Sequence, residues 1–81
     1  MDCIALHIVS PEGTLVETTV SAVTLPGTLG PFEVLKDHGA LLSSLEKGEI
    51  VYVSKDKEFR LPIVSGFVEV CDNQVDVCVE E

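Results

Sequence analysis

The sequence predicts an all-β fold, a small flattened β-sandwich or barrel in a single domain, and three features point to it. Apolar residues recur with a period of two along most of the chain. No window of about 11 residues carries the 3.6-residue period of a helix. The alternating runs are short and are separated by Gly, Pro, Asn and Asp, the punctuation of a sandwich or barrel. The 81 residues leave room for one core only. A core that small buries about 60% of the unfolded surface, so a domain of this size gains from a partner.

The elements follow in chain order. Cys3 to Val9 sets Ile4, Leu6 and Ile8 on one face and Ala5 and His7 on the other, a strand. Ser10-Pro11-Glu12-Gly13 ends it, because Pro presets φ and Gly permits positive φ. Thr14 to Glu17 is a short extended piece. Val20 to Leu25, rich in β-branched residues, reads as a second long strand that Pro26-Gly27 stops. Leu25 to Leu42 breaks the alternation, with three glycines, two prolines and His38 set between apolar anchors. Within it Phe32 and Val34 alternate as core residues of a short strand would, while Leu29, Leu35 and His38 are candidates for a contact surface.

Asp37 to Leu45 reads as a turn followed by a strand, since Gly39 sits inside any helix placed there. Glu49 to Ser54 is β-branched and aromatic, a strand, and Lys55-Asp56-Lys57 is a charged hairpin tip. Glu58 to Val64 resumes with Phe59, Leu61 and Ile63 on one face. Pro62 on the other marks an edge or bulged position, because it cannot donate to a ladder. Ser65-Gly66 reads as a kink. Phe67, Glu69 and Cys71 then alternate with Val68 and Val70. Asp72-Asn73 is a tight turn, and Val75, Val77 and Val79 alternate with Gln74, Asp76, Cys78 and Glu80.

Charge bounds the partners. The net charge is −9, and the first 35 residues carry four carboxylates and no Lys or Arg. Such a chain repels nucleic acid and anionic lipid, so neither is expected as a partner. A basic protein surface is its natural complement, and solubility alone is the other reading of the acidity. No apolar run approaches the roughly 20 residues that span a bilayer, so no direct membrane insertion is expected. Met1-Asp2-Cys3 has no basic n-region, which makes a cytosolic protein or subunit the default. The cysteines, Cys3, Cys71 and Cys78, are odd in number and lack zinc spacing, so each reads as a reduced thiol packed as a small hydrophobe.

Catalytic chemistry is hard to place on these residues. The thiols could pair only with His7, read as a surface or edge histidine, or with His38, and no third group orients either pair. Gly27-Thr28-Leu29-Gly30 lacks the Gly-Lys-Ser/Thr ending of a phosphate loop, and no helix follows it. No ligand spacing suggests a metal. The chain is therefore expected to be no enzyme, with no catalytic residue, cofactor or metal. Leu25 to Leu42 is instead a shaped turn that presents side chains to a partner.

That same stretch carries a family resemblance. The order Leu-Pro-Gly-x-x-Gly-x-Phe-x-Val-Leu-x-x-His-x-x-Leu-Leu, Leu25 to Leu42, resembles the signature of the epsilon subunit of F-type ATP synthases. The first hairpin (Leu6-x-Ile8-Val9-Ser10-Pro11 and Gly13-x-Leu15), the turn at Leu45-x-x-Gly48, Val64 to Val70 and Asn73-x-Val75-x-Val77 are similar to its other segments, so essentially the whole chain is covered. The resemblance implies a ten-stranded amino-terminal β-sandwich at residues 1–81. It implies a non-catalytic central-stalk (rotor) subunit of a proton-transporting synthase, which couples the gamma subunit to the membrane c-ring during ATP synthesis. Its place would be peripheral, at the cytoplasmic face of the bacterial inner membrane. The loop that meets the ring or gamma would include Thr28, Leu29, Pro31, Glu33, Leu35 and His38.

The chain departs from the family pattern in several places. His38-Gly39-Ala40-Leu41 stands where His-Ala-Pro-Leu is usual, which loosens the turn. Pro31 stands where an acid is frequent, and Glu33 where a glycine is frequent. One glycine of a Ser-Gly-Gly bend is missing at Ser65-Gly66-Phe67. The chain ends where a carboxy-terminal helical domain begins in most members, so neither a helix-insertion brake nor nucleotide binding is expected of these residues. A free-standing β-sandwich adaptor for some other protein is the alternative reading, and a small thiol-dependent enzyme is the third.

Overall fold

A computed structural model describes residues 2–81. Nine strands are present among them: β1 (Ile4–Ser10), β2 (Gly13–Val20), β3 (Ala22–Leu25), β4 (Phe32–Val34), β5 (Leu41–Leu45), β6 (Gly48–Ser54), β7 (Lys57–Ile63), β8 (Ser65–Cys71) and β9 (Gln74–Glu80). They form two sheets, one of five strands in the order β2-β1-β9-β8-β5 and one of four in the order β4-β3-β6-β7. The count is one below the ten that the resemblance implies, and the sandwich itself is as expected. All pairs are antiparallel except β1 with β9, whose parallel register runs from Ala5↔Gln74 to Val9↔Cys78.

The core is the sum of the inward halves of these alternations. Ile4, Leu6 and Ile8 of β1, Val68 and Val70 of β8, and Val75, Val77 and Val79 of β9 face Val23, Leu25, Val34, Ile50 and Ile63 of the other sheet, all at 4% exposure or less. Fully burying each such side chain contributes about 1.5–3 kcal/mol. One polar side chain joins them. Ser54 of β6 donates its hydroxyl to the Thr19 carbonyl of β2 at 2.8 Å, which ties the two sheets at one corner without leaving an unpaired group.

Two corners correct the sequence reading. The long strand expected over Val20 to Leu25 is broken at Ser21, whose amide donates to the Val53 carbonyl at 2.9 Å. The buried positions shift phase there, from Val20 to Val23, because the chain leaves the five-stranded sheet and enters the other. The kink expected at Ser65-Gly66 lies instead at Val64, whose amide donates to the Glu80 carbonyl at 2.7 Å as β7 gives way to β8. Gly66 is already in the ladder, and a Cβ there would press on the Cys78 carbonyl oxygen.

Elsewhere local chemistry and fold agree. Lys55-Asp56 and Asp72-Asn73 both take positive φ, the requirement of two-residue hairpin turns. Pro62 lies on β7, an edge strand, where a missing N–H leaves the ladder intact. A bulge between Ile8 and Val9 re-aims the start of β2.

Candidate interaction surface

Leu25 to Leu42 closes one side of the sandwich. It leaves β3, contributes β4 to the edge of the four-stranded sheet, and then supplies β5 at the edge of the other sheet. Before β4, the chain fastens along β5. Gly27 bridges Leu45, the Thr28 amide donates to the Ser44 carbonyl at 3.2 Å, and the Thr28 and Ser44 hydroxyls share a hydrogen bond of 2.8 Å. The Glu46 amide donates to the Pro26 carbonyl at 2.9 Å. An otherwise open strand edge is thereby covered, which suppresses pairing with other chains. Gly27 is the residue that allows it. A Cβ there would lie 2.7 Å from the Gly30 carbonyl oxygen and 2.9 Å from the Phe32 ring. Phe32 and Val34 serve the core as the alternation suggests, Val34 fully and Phe32 in part.

The structure brings three of the six expected loop residues together. Leu29, Pro31 and His38 line a groove of about 430 Å³ whose floor is Phe32, Leu41 and Ser43. Leu29 is fully exposed, with nothing packed over it. His38 is half-buried and held by a turn, its amide donating to the Leu35 carbonyl at 3.1 Å. Its Nδ1–H donates to the Gly39 carbonyl at 2.7 Å, which leaves Nε2 as the free acceptor. Thr28 is spent on Ser44. Glu33 sits on β4 opposite Thr24, exposed and outside the groove, and Leu35 is exposed before the turn. Thr28, Glu33 and Leu35 are thus outside the groove that gathers Leu29, Pro31 and His38.

A second surface was not singled out by sequence reasoning. On the outer face of the five-stranded sheet, Val9, Cys78 and Phe67 stand side by side on β1, β9 and β8. They border a shallow cleft of about 490 Å³ with Ser10, Pro11 and Gly66. Phe67 is 54% exposed and Leu42, a neighbour on β5, 73% exposed. The signal was present as the alternation that puts Phe67 opposite in phase to Val68 and Val70. Alternation alone does not say which phase faces water.

The thiols and histidines do not assemble into a nucleophilic site. All three cysteines are free, as expected, but Cys71 and Cys78 are exposed rather than packed in the core. Both fall in the outward phase of their strands, where the valines take every inward position. Cys71 and His38 do line one small cleft with Asp37, Asp72 and Asn73. There the Asp72 charge, together with partial desolvation, a thiol hydrogen bond to Asp72 and the charge of Glu69, pushes the Cys71 thiol up. That disfavours the thiolate a nucleophile needs. His7 lies on the outer face of β1, a surface histidine in a central strand, 3.9 Å from Asp76. Among the described residues no group of three or more His, Cys, Asp or Glu is arranged to hold a metal ion. No helix among them is long and apolar enough to cross a membrane.

Fold and surfaces together define a class: a small β-sandwich whose distinguishing side chains are exposed on its loop and on the outer face of one sheet. Within that class the chain belongs to the family of the ATP synthase delta/epsilon chain beta-sandwich domain, whose model matches residues 3–81. It is 39% identical over 75 residues to the ATP synthase epsilon chain of Desulfitobacterium hafniense, covering 93% of this chain and 57% of that one. It is 42% identical over 80 residues to the ATP synthase epsilon chain of Aliarcobacter butzleri, covering 99% of this chain and 64% of that one. The chain therefore spans about three-fifths of the length of these relatives. Its structure is similar to a chain in the Euglena gracilis mitochondrial ATP synthase assembly of OSCP, F1 and c-ring, with a TM-score of 0.91 and 25% identity, covering 100% of this chain and 52% of that one. A chain in the central stalk and c-ring of the Tetrahymena thermophila mitochondrial enzyme shares the fold, with a TM-score of 0.82 at 16% identity, covering 98% of this chain and 64% of that one.

Proposed function

We propose that this sandwich acts as the non-catalytic central-stalk part of a proton-transporting ATP synthase, joining the gamma subunit to the c-ring so that rotation is transmitted. Its place is peripheral, at the cytoplasmic face of a bacterial inner membrane. The observation that carries the reading is the family match over nearly the whole chain, which takes in both the loop from Leu25 to Leu42 and the strands on either side. Two separate surfaces suit a coupling piece. The groove at Leu29, Pro31 and His38 is assigned to the ring, while Thr28, Glu33 and Leu35 belong to the same loop and lie outside the groove. The outer face of the five-stranded sheet, with Phe67, Val9 and Leu42, is assigned to gamma.

Co-expression with the gamma subunit from the same genome tests this directly. A complex that survives size exclusion is expected, and failure to bind any gamma subunit would sink the rotor reading in favour of an unrelated adaptor. The loop has its own test. The double variant Leu29→Ala with His38→Ala should keep the melting temperature, since Leu29 touches nothing and His38 bonds only within its own turn. It should weaken retention of the assembled stalk on the detergent-solubilised ring. A double variant that unfolds the domain would show these side chains to be structural.

A further inference from the structure

The outer face of the five-stranded sheet is charged in one sign only. Its strands carry Glu17 on β2, Asp76 and Glu80 on β9, and Glu69 on β8. The five Lys and Arg residues all lie elsewhere: Lys36 and Lys47 in connections, Lys55 at a hairpin tip, Lys57 and Arg60 on β7. The register aligns the acids into a row. Glu17 is opposite His7, His7 opposite Asp76, and Asp76 opposite Glu69, with Leu42 closing the row on β5. At about 4.8 Å per strand the row from Glu17 to Glu69 is about 14 Å long. Directly opposed like charges such as Asp76 and Glu69 destabilise a sheet. Among the described residues Asp76 receives a 3.4 Å hydrogen bond from Gln74 and lies 3.9 Å from His7, with no Lys or Arg paired to it. On the other sheet, by contrast, Glu49 and Glu58 both bind Arg60, at 3.2 and 2.7 Å. The apolar row of Phe67, Cys78 and Val9 runs directly beside the acidic one.

We propose that this face docks a basic protein surface, an apolar ridge flanked by Lys or Arg side chains that neutralise Glu17, Asp76 and Glu69. The proposal rests on the assignment of this face to gamma and specifies the chemistry of the surface that gamma brings to it. Charge complementarity selects this occupant. A second copy of the chain would set acid against acid, and nucleic acid or anionic lipid would be repelled. Opposed potentials steer encounter and fix register, and the apolar row supplies the water-excluding contact.

The test compares affinities for the purified gamma subunit of the same genome, by titration calorimetry or interferometry at low and high salt. For the unaltered chain, raising NaCl from about 50 to about 500 mM should weaken binding at least about tenfold. The triple variant Glu17→Gln, Glu69→Gln, Asp76→Asn should lose about tenfold at low salt and flatten the salt dependence, while melting no lower, because it relieves repulsion. The control Glu46→Gln, Glu49→Gln, Glu58→Gln changes net charge equally outside the five-stranded sheet and should stay within about twofold. His7→Lys should weaken binding further. An unchanged affinity and salt slope for the first triple variant overturns the proposal, as does an equal loss in the control. Phe67→Ser separates the two levels. If it abolishes binding while the acidic variant does not, the face assignment stands and its electrostatic recognition fails. If Phe67→Ser also binds normally, the face assignment itself is wrong.

Discussion

The two sheets are built by one rule and finished differently. Each places valine, isoleucine or leucine at alternate positions toward a shared core, and each turns its other phase to solvent. The four-stranded sheet is self-contained on its outer side. Arg60 bridges Glu49 and Glu58, and those two side chains hold the guanidinium above its usual pKa. On the inward phase of the same two strands, Phe59, 42% exposed, stacks on Tyr52 at the margin of the core, with ring centroids 5.2 Å apart. The outer side of the five-stranded sheet has no such cation among the described residues. Phe67 and Leu42 are exposed without an aromatic or aliphatic cover, and its carboxylates share no cation. On the proposed reading, a surface left apolar and one-signed is one that a partner completes, and solubility from net charge needs no such arrangement.

Neighbouring residues of β8 give the sharpest way to break this contrast. Val68 points into the core and Phe67 away from it. Val68→Ala removes two carbons from a closed space and should cost about 2–3 kcal/mol, a large share of the stability of a domain this size. Phe67→Ala should cost about 1 kcal/mol or less, since half of the ring is already in water, yet it should impair association with gamma. Chemical denaturation of both variants decides. Equal losses would mean that the outer ring is part of the fold and not a contact held in reserve. A smaller effect is expected at the buried hydroxyl that ties the sheets at one corner. Ser54→Ala frees the Thr19 carbonyl of its side-chain donor and should cost about 1 kcal/mol, read as a shift in denaturation midpoint at constant slope.

How much of this was legible in the sequence follows from what alternation encodes. Period-two runs located most of the strands and sorted each into two phases, though the end of β2 was merged with β3 and β5 was read only as part of a turn and strand; turn chemistry placed Pro11-Glu12, Lys55-Asp56 and Asp72-Asn73. The sheet switches at Ser21 and Val64 were not legible. A single bend residue carries the chain between layers at each switch; nothing marks Ser21, and at Val64 the flanking Gly66 drew the expected kink one residue too far along. Leu29, Pro31 and His38 were named from the shaped turn and do share a groove, because Gly27 and Thr28 pin that turn to β5. Glu33 was named because the family resemblance covers its stretch, and its strand position opposite Thr24 sets it outside the groove. The proposed docking face was missed because its residues are spread over β1, β2, β5, β8 and β9. Only the register of five strands assembles Glu17, Asp76, Glu69, Phe67 and Val9.

The smallest effect probes the acidic character of the five-stranded sheet without any partner. Cys71 ends β8 on the outer face, and the charge of Asp72 is the leading reason that its thiol is pushed up. Below its pKa a thiol reacts in proportion to its thiolate fraction. A raised pKa therefore slows alkylation at neutral pH and keeps the rate climbing with pH after an ordinary thiol has levelled off. Peptide-resolved iodoacetamide kinetics should show Cys71 slower than a free cysteine thiol at neutral pH. Asp72→Asn should speed it severalfold, because the largest repulsive charge is gone. Salt should speed the unaltered chain as well, and should have less effect on the variant, since an exposed charge is the kind that salt screens. If Asp72→Asn leaves the rate unchanged, the carboxylates at this end of the sheet are too well hydrated to act even on an adjacent residue. Their longer-range attraction for a basic surface would then have to come from Glu17, Asp76 and Glu69 alone.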